Sequence, residues 1–264
     1  VSRAVFGLRI APPPPGPAMP TRLAVLLLAV ATPLAAQRSG PPDSLVNVRV
    51  IPRDTPVRDV INQMGGITRA LGVRCTFCHV GDESMNIWDY DFVSDEKPTK
   101  LKAREMMRMV QAINGEFLPR LDGLDAQGLE VTCMTCHRGV SLPQPLSQVL
   151  LRAHADGGMT AMDSTYEALK ERYYGRASYD FGEVTLDDVA SRLFSSGSRD
   201  DAIRTYVKNA ELFTSSSFAQ RRLGQARLEV GDTAGAIEAF RRTLAVNPRD
   251  RTATQALQQL GASP

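Results

Sequence analysis

Cys75-Thr76-Phe77-Cys78-His79 and Cys133-Met134-Thr135-Cys136-His137 are the two stretches that decide the reading of this 264-residue chain. Both spell C-x-x-C-H, the attachment pattern of c-type haem. The spacing suits that chemistry, because two thiols can reach the two vinyl groups of one porphyrin while the adjacent His meets iron on the proximal face. The motifs use all four Cys of the chain, so none is left for a structural disulfide. Zinc ribbons also pair C-x-x-C units, with a usual gap of about 15 to 20 residues. Here 54 residues separate Cys78 from Cys133. A thioredoxin-type site needs one C-x-x-C in a βαβ context, which this chain does not offer. The motifs predict two covalently bound haem c groups, held by Cys75, Cys78, Cys133 and Cys136, with His79 and His137 as proximal iron ligands.

The sixth ligands must come from elsewhere, and Met is the expected sulfur donor in an electron-carrying haem. Ahead of the first motif, Thr55-Pro56 reads as an N-cap followed by Pro at the first helical position, with the helix running to Leu71 before Gly72. Val57, Val60, Ile61, Met64, Ile67 and Leu71 form one stripe at helical spacing. Met64 sits mid-stripe beside Gly65 and Gly66, where absent side chains let a flat ring approach the backbone. Core filler is the competing role for Met64. Ahead of the second motif a helix is expected from near Pro98 to Leu118, with Met106, Met107 and Met109 as candidates. Spacing at 100° groups Met106 with Val110, Ile113 and Phe117, sets Met109 at the edge of that face, and turns Met107 away. Met106 is therefore the favoured ligand; Met109, Met107 and His154, the one His outside the motifs, stay as alternatives.

Outward from the motifs, the N-terminus has the pattern of an export signal. Met19-Pro20-Thr21-Arg22 precedes an apolar run of 12 residues over 23–34, then Ala35-Ala36-Gln37, a small-residue cleavage site. Twelve apolar residues are too few for a helical membrane span, which needs about 20. The expectation is a start at Met19, a mature chain from Gln37, and a location in the periplasm or the extracellular space. Net charge is +2, and Arg3, Arg9 and Arg22 stand in the acid-free first 36 residues, so the remainder carries −1. No basic excess points to nucleic acid, and any membrane contact is expected to be peripheral. Apolar residues at 43% and charged residues at 23% exclude a wholly disordered, collagenous or multi-span chain.

The stretch Ala70-Leu71-Gly72-Val73-Arg74-Cys75-Thr76-Phe77-Cys78-His79, within residues 61–80, resembles a haem-binding unit of the tetrahaem cytochrome subunit of photosynthetic reaction centres. So does Arg108-Met109-Val110-Gln111-Ala112-Ile113-Asn114, followed by Val131-Thr132-Cys133-Met134-Thr135-Cys136-His137-Arg138-Gly139. The resemblance covers residues 45–145, about two of that family's four units. It implies a helix that gives Met to iron before each C-x-x-C-H, an arrangement that Met64, 11 residues ahead of Cys75, matches. For the last haem of that family the ligand is a His from a distant segment, and a Met at the place of Met109 does not bind iron. That keeps Met106 ahead of Met109 and leaves His154 open. With two motifs the chain is not by itself a four-haem wire, and it looks more like shorter two-haem exported relatives with a helical repeat tail. Between the motifs, Trp88, Tyr90 and Phe92 alternate with acids and read as a short extended segment.

The C-terminal third repeats with a period of 34: Val189 aligns with Leu223, Gly197 with Gly231, Ala202 with Ala236, and Tyr206 with Phe240. With Gly224 and Pro248 in order, this resembles tetratricopeptide repeats. Two repeats span 186–251 and residues 252–260 form a capping helix, while 148–178 add one or two helices after the Pro-containing linker 141–145.

The expected fold is mostly α: a c-type haem-binding helical module followed by a tetratricopeptide-like α-hairpin array. The expected divisions are upstream residues plus signal peptide at 1–36, a dihaem domain at 37–147, connecting helices at 148–185 and repeats at 186–264. The expected activity is carriage of single electrons between redox partner proteins, with iron as the only metal and no catalysis. The repeats are expected to dock a partner or a second copy. The alternatives are a polymer-forming extracellular cytochrome conduit and a dihaem peroxidase.

Overall fold

The computed structural model describes residues 40–121 and 128–263. The expected export signal lies outside them. Among the described residues the fold is helical, and the only β pairing is an isolated bridge between Val80 and Asp91.

Helix α1 spans Val57–Leu71. It begins one residue later than the Thr55-Pro56 pattern predicts. Pro56 has φ −55° and ψ 135°, and its carbonyl accepts the first helical bonds from the N–H groups of Asp59 and Val60. Pro56 is thus the half-helical cap residue, and no side chain caps the helix. At the far end Gly72 adopts φ 66°, a left-handed conformation that suits Gly, and closes the helix through bonds to Arg69 O and Thr68 O.

Helix α2 spans Pro98–Ala112 and does not run on as α-helix to Leu118. It widens into a π-helical turn, Ile113–Phe117, then tightens to a 3₁₀ turn, Leu118–Arg120. The change of pitch coincides with Asn114, whose side chain is committed to a partner outside the helix, and with Pro119, which lacks an N–H. The aromatic segment also differs from expectation. Trp88 lies in a 3₁₀ turn, Ile87–Asp89, because Asn86 Oδ1 accepts from Trp88 N–H at 3.0 Å and bends the chain locally.

Beyond the short helix α3, Cys133–His137, the long α4 spans Leu146–Tyr173. It is broken at Gly157 and Gly158, the latter at φ 65° and ψ −159°, a region open essentially to Gly alone. Five helices follow: α5 Glu183–Ser195, α6 Arg199–Leu212, α7 Ser217–Glu229, α8 Thr233–Val246 and α9 Arg251–Gln259. Each packs on the next, and α5 also touches α7, the nearest-neighbour arrangement of a tetratricopeptide-like array. The period of 34 has a physical basis here. Gly197 and Gly231 turn the chain at φ 92° and 83°, and Val189, Leu223, Ala202, Ala236, Tyr206 and Phe240 are all buried. Gly224 matters for a close approach: a Cβ there would lie 2.8 Å from the Phe240 ring. A polar tie joins three helices, with Arg222 of α7 donating to Asp187 at 2.6 Å and Ser191 at 2.7 Å on α5 and to Tyr206 at 3.0 Å on α6.

Candidate functional site

The first C-x-x-C-H follows the Gly72 turn. Cys75–Phe77 form a 3₁₀ turn, and the His79 and Cys78 N–H groups both donate to Cys75 O, at 2.9 Å and 3.2 Å. The start of α2 clamps this motif from the side. Lys97 Nζ donates to Thr76 O, and Thr99 Oγ1 donates to Phe77 O. Lys100, only 8% exposed, donates to Phe92 O at 2.8 Å, Ser94 O at 2.7 Å and Val93 O at 3.2 Å. That grip holds the Phe92 ring edge-on to His79, with centroids 4.9 Å apart and planes at 68°. Asp95 pairs with Lys100 at 3.2 Å and with Arg104 at 2.9 Å. Hydrogen bonds from Arg104 and Asn47 hold the Asp95 carboxyl well below the usual carboxylate range.

Two groups of the first motif are shifted. Burial pushes the Cys78 thiol up, against the opposing Thr99 hydrogen bond and the Lys97 charge. Burial, then Lys100, Lys97 and Arg104, push His79 down to about 4, which keeps the imidazole neutral with a lone pair available to a metal. Its Nδ1 is buried with no hydrogen-bond partner among the described residues.

The second motif is built differently. Thr132 and Thr135 cap α3 reciprocally, each side chain accepting from the other's backbone N–H. Asn114 holds the approach to it, donating Nδ2–H to Val131 O and accepting from Val131 N–H, both at 2.8 Å. His137 Nδ1 lies 2.8 Å from Val140 O. A carbonyl only accepts, so Nδ1 carries the proton and Nε2 is the lone-pair nitrogen. The chain leaves the motif through Arg138 at φ 49° and Gly139 at φ 86°. Gly139 N–H then donates to Ala70 O of α1 at 2.7 Å. A Cβ on Gly72 would sit 2.1 Å from Gly139 O, so the two motifs meet backbone to backbone at this joint. Ser178 Oγ donates to Arg138 O at 2.6 Å and ties the same exit to the chain after α4.

Between α1, α2 and α3 lies a cleft of about 470 Å³. Gly66, Ile67 and Ala70 of α1, Met107 and Val110 of α2, and Cys133 of α3 are among its walls. An added Cβ at Gly66 would meet nothing within 4 Å, so this wall is open to a flat ring. Of the methionines on α2, Met107 faces the cleft, while Met106 and Met109 are 42% and 46% exposed and are not among its walls. The face toward α3 carries Met107, Val110, Gln111 and Asn114, one helical stripe fixed by the Asn114 contact to Val131. Met64 is half-buried on α1. His154, on α4, is engaged by Asp201 of α6 at 2.8 Å and is not among the walls of the cleft. Each motif thus offers two thiols for covalent attachment and one imidazole for iron, a donor set that suits c-type haem.

Lys97, Thr99, Lys100, Asn114 and Val140 support these motifs and have no sequence signature, because each acts through a backbone group distant in the chain or a carbonyl that any residue has.

The model of the family "Photosynthetic reaction centre cytochrome C subunit" matches residues 85–181, which include α2, the second motif and α4. Cytochrome c-554 of Chloroflexus aurantiacus is 42% identical over 71 residues, 27% of this chain and 15% of its own length. The photosynthetic reaction center cytochrome c subunit of Thermochromatium tepidum is 31% identical over 114 residues, 42% of this chain and 25% of its own. The chain therefore spans a quarter or less of the length of these two relatives. Among solved structures, the first TPR of Spaghetti bound to an HSP90 peptide is 22% identical, covers 44% of this chain and 92% of its own, and superposes with a TM-score of 0.29. The match to the reaction centre cytochromes is partial.

Proposed function

We propose that this protein is an exported dihaem c-type cytochrome that carries single electrons between redox partner proteins, with its repeat region as the docking element. The observation that carries the reading is the pairing of two C-x-x-C-H motifs across one backbone joint, each with its own proximal His and its own polar supports. In this reading residues 37–147 form the dihaem domain, 148–185 connect, and 186–264 dock a redox partner or a second copy. The location is the periplasm or the extracellular space.

Haem supplies a one-electron Fe(III)/Fe(II) couple when bound. The residues do the rest. Cys75, Cys78, Cys133 and Cys136 would fix it covalently, and His79 and His137 would each give an imidazole nitrogen to its iron. We assign Met64 to the distal side of the first site and Met107 to that of the second. For Met107 the support is its position in the cleft beside Cys133, which Met106 lacks. With these residues each site would offer iron one imidazole nitrogen and one thioether sulfur. Met107 among the walls of the cleft offers a sulfur that would close the second site to peroxide, which sets the carrier reading above the peroxidase one.

Intact mass of the denatured, exported protein is the decisive measurement. It should exceed the polypeptide by two haem groups; haem that extracts into acid acetone overturns the assignment. For the ligands, Met64→His should abolish one sulfur-to-iron charge-transfer band and lower that site's potential, since Met ligation raises it. Met107→His should do the same at the other site, and Met106→His should change neither.

A further inference from the structure

The two proximal histidines are supported in opposite ways. His137 donates Nδ1–H to Val140 O at 2.8 Å. His79 Nδ1 is buried and has no acceptor among the described residues. Its flank is filled by the Phe92 ring at 4.9 Å, and an aromatic face is a far weaker acceptor than a carbonyl. We propose that the chain sets its two haem sites at unequal reduction potentials from the proximal side, with the Cys75–Cys78–His79 site the higher and the Cys133–Cys136–His137 site the lower. The inference rests on the two-haem reading above.

A ligating imidazole that donates its second N–H is more basic and pushes more electron density to the metal, which favours the more positive oxidation state. His137 has that bond. His79 lacks it, so its iron is the easier of the two to reduce. Charge acts in the same direction. Oxidation adds one positive charge to a site, and neighbouring cations oppose it. Lys97 holds Thr76 O inside the first motif and Lys100 holds the carbonyls beside it, with Arg104 further along α2 and Asp91 and Asp95 as the nearby acids. Asp95 is shared between Lys100 and Arg104, and Asp91 is turned to the backbone N–H groups of Val93 and Ser94, both at 2.9 Å. The cleft at Cys133 has one cation and one anion among its walls, Arg69 and Glu130.

Lys100 is a positioning residue in this scheme. Its three bonds to the carbonyls of residues 92–94 keep the Phe92 ring against His79. The consequence is a direction: with both haems bound, the residues around His79 would hold an electron more favourably than those around His137, and its passage from the second site to the first would break no bond and move no proton.

An NMR-monitored reductive titration of the intact holoprotein tests this, with dithionite as reductant and haem methyl resonances assigned through their neighbours, Phe92 at one site and Val140 at the other. The resonances of the first site should convert at the higher potential. Phe92→Gln places an amide oxygen beside Nδ1 and should shift the first midpoint down toward the second, while Phe92→Leu, which offers no acceptor, should leave the first site the higher. Conversion of the second site first overturns the proposal in the wild-type protein alone, whatever the variants do. Equal responses of the Gln and Leu variants overturn the hydrogen-bond cause. A mass showing fewer than two covalent haems instead overturns the functional reading on which the proposal stands.

Discussion

Among the described residues, the stretch 40–145 buries one apolar side chain, Ala70, whereas the helices from Leu146 onward bury Leu150, Met162, Val189, Phe240, Leu257 and many more. The two regions are held by different forces. The repeat region closes on itself, with three clusters of buried side chains along α4 to α9. Each large apolar side chain so buried contributes about 1.5 to 3 kcal/mol. The motif region is held by polar clamps on backbone groups, such as Lys100 on residues 92–94 and Asn114 on Val131, while Ile61, Phe77, Met134 and Phe117 remain exposed. A stretch with that many exposed hydrophobics and almost no core of its own is built around something other than its own side chains. In the reading proposed here, that is two porphyrins.

The sharpest way to break this contrast is to remove attachment altogether. A chain with all four Cys changed to Ala should lose protection from about 40 to 145 and keep a resistant fragment from about 146 to 263. Limited proteolysis with fragment masses reads this out. Equal protection of both stretches would show that the motif region has a sufficient core after all.

Within the repeat region, Phe240→Ala should cost about 3 to 5 kcal/mol, because the ring is 1% exposed and a cavity replaces it. Urea denaturation followed by far-ultraviolet circular dichroism measures the loss, and the Soret band should not move below the transition. A shifted Soret band in the folded variant would join the two regions energetically. Gly224→Ala should cost less, about 1 to 3 kcal/mol, since its Cβ would meet the Phe240 ring at 2.8 Å and the neighbours must give way. A neutral effect would mean that α7 and α8 shift apart freely.

The smallest effect belongs to the polar clamps. Asp95 has its carboxyl depressed in the folded protein, so it stabilises at pH values above the ordinary carboxylate range and the contribution fades as pH falls through the folded value. Asp95→Asn should therefore lower the denaturation midpoint at pH 7, and the difference from wild type should shrink toward pH 3. A difference that stays constant with pH would assign the loss to packing.

What could be read from sequence follows the range of the forces involved. Gly72 ends α1 by a local conformation, and Gly197 and Gly231 recur by a repeat, so periodicity and glycine placement reveal both. The choice among the α2 methionines is another matter. The apolar stripe through Met106 and Phe117 was the natural one to turn inward, yet Phe117 is exposed and the helix is oriented by Asn114 bonding to Val131, 17 residues away. No helical wheel contains that bond. The π-helical turn Ile113–Phe117 was invisible for the same reason, and the Asn86 cap overrode an alternation that looked like a strand.

The joint between Gly72 and Gly139 bears on inheritance. Residues 133–139 need the Ala70 carbonyl as acceptor and need the residue at 72 to have no side chain. A motif copied behind another helix would arrive without either. The connecting stretch carries the α2 clamps on both motifs, so it and its two ends have to be passed on together. Duplication of this module in a longer gene is therefore expected to proceed in pairs of motifs and not one motif at a time.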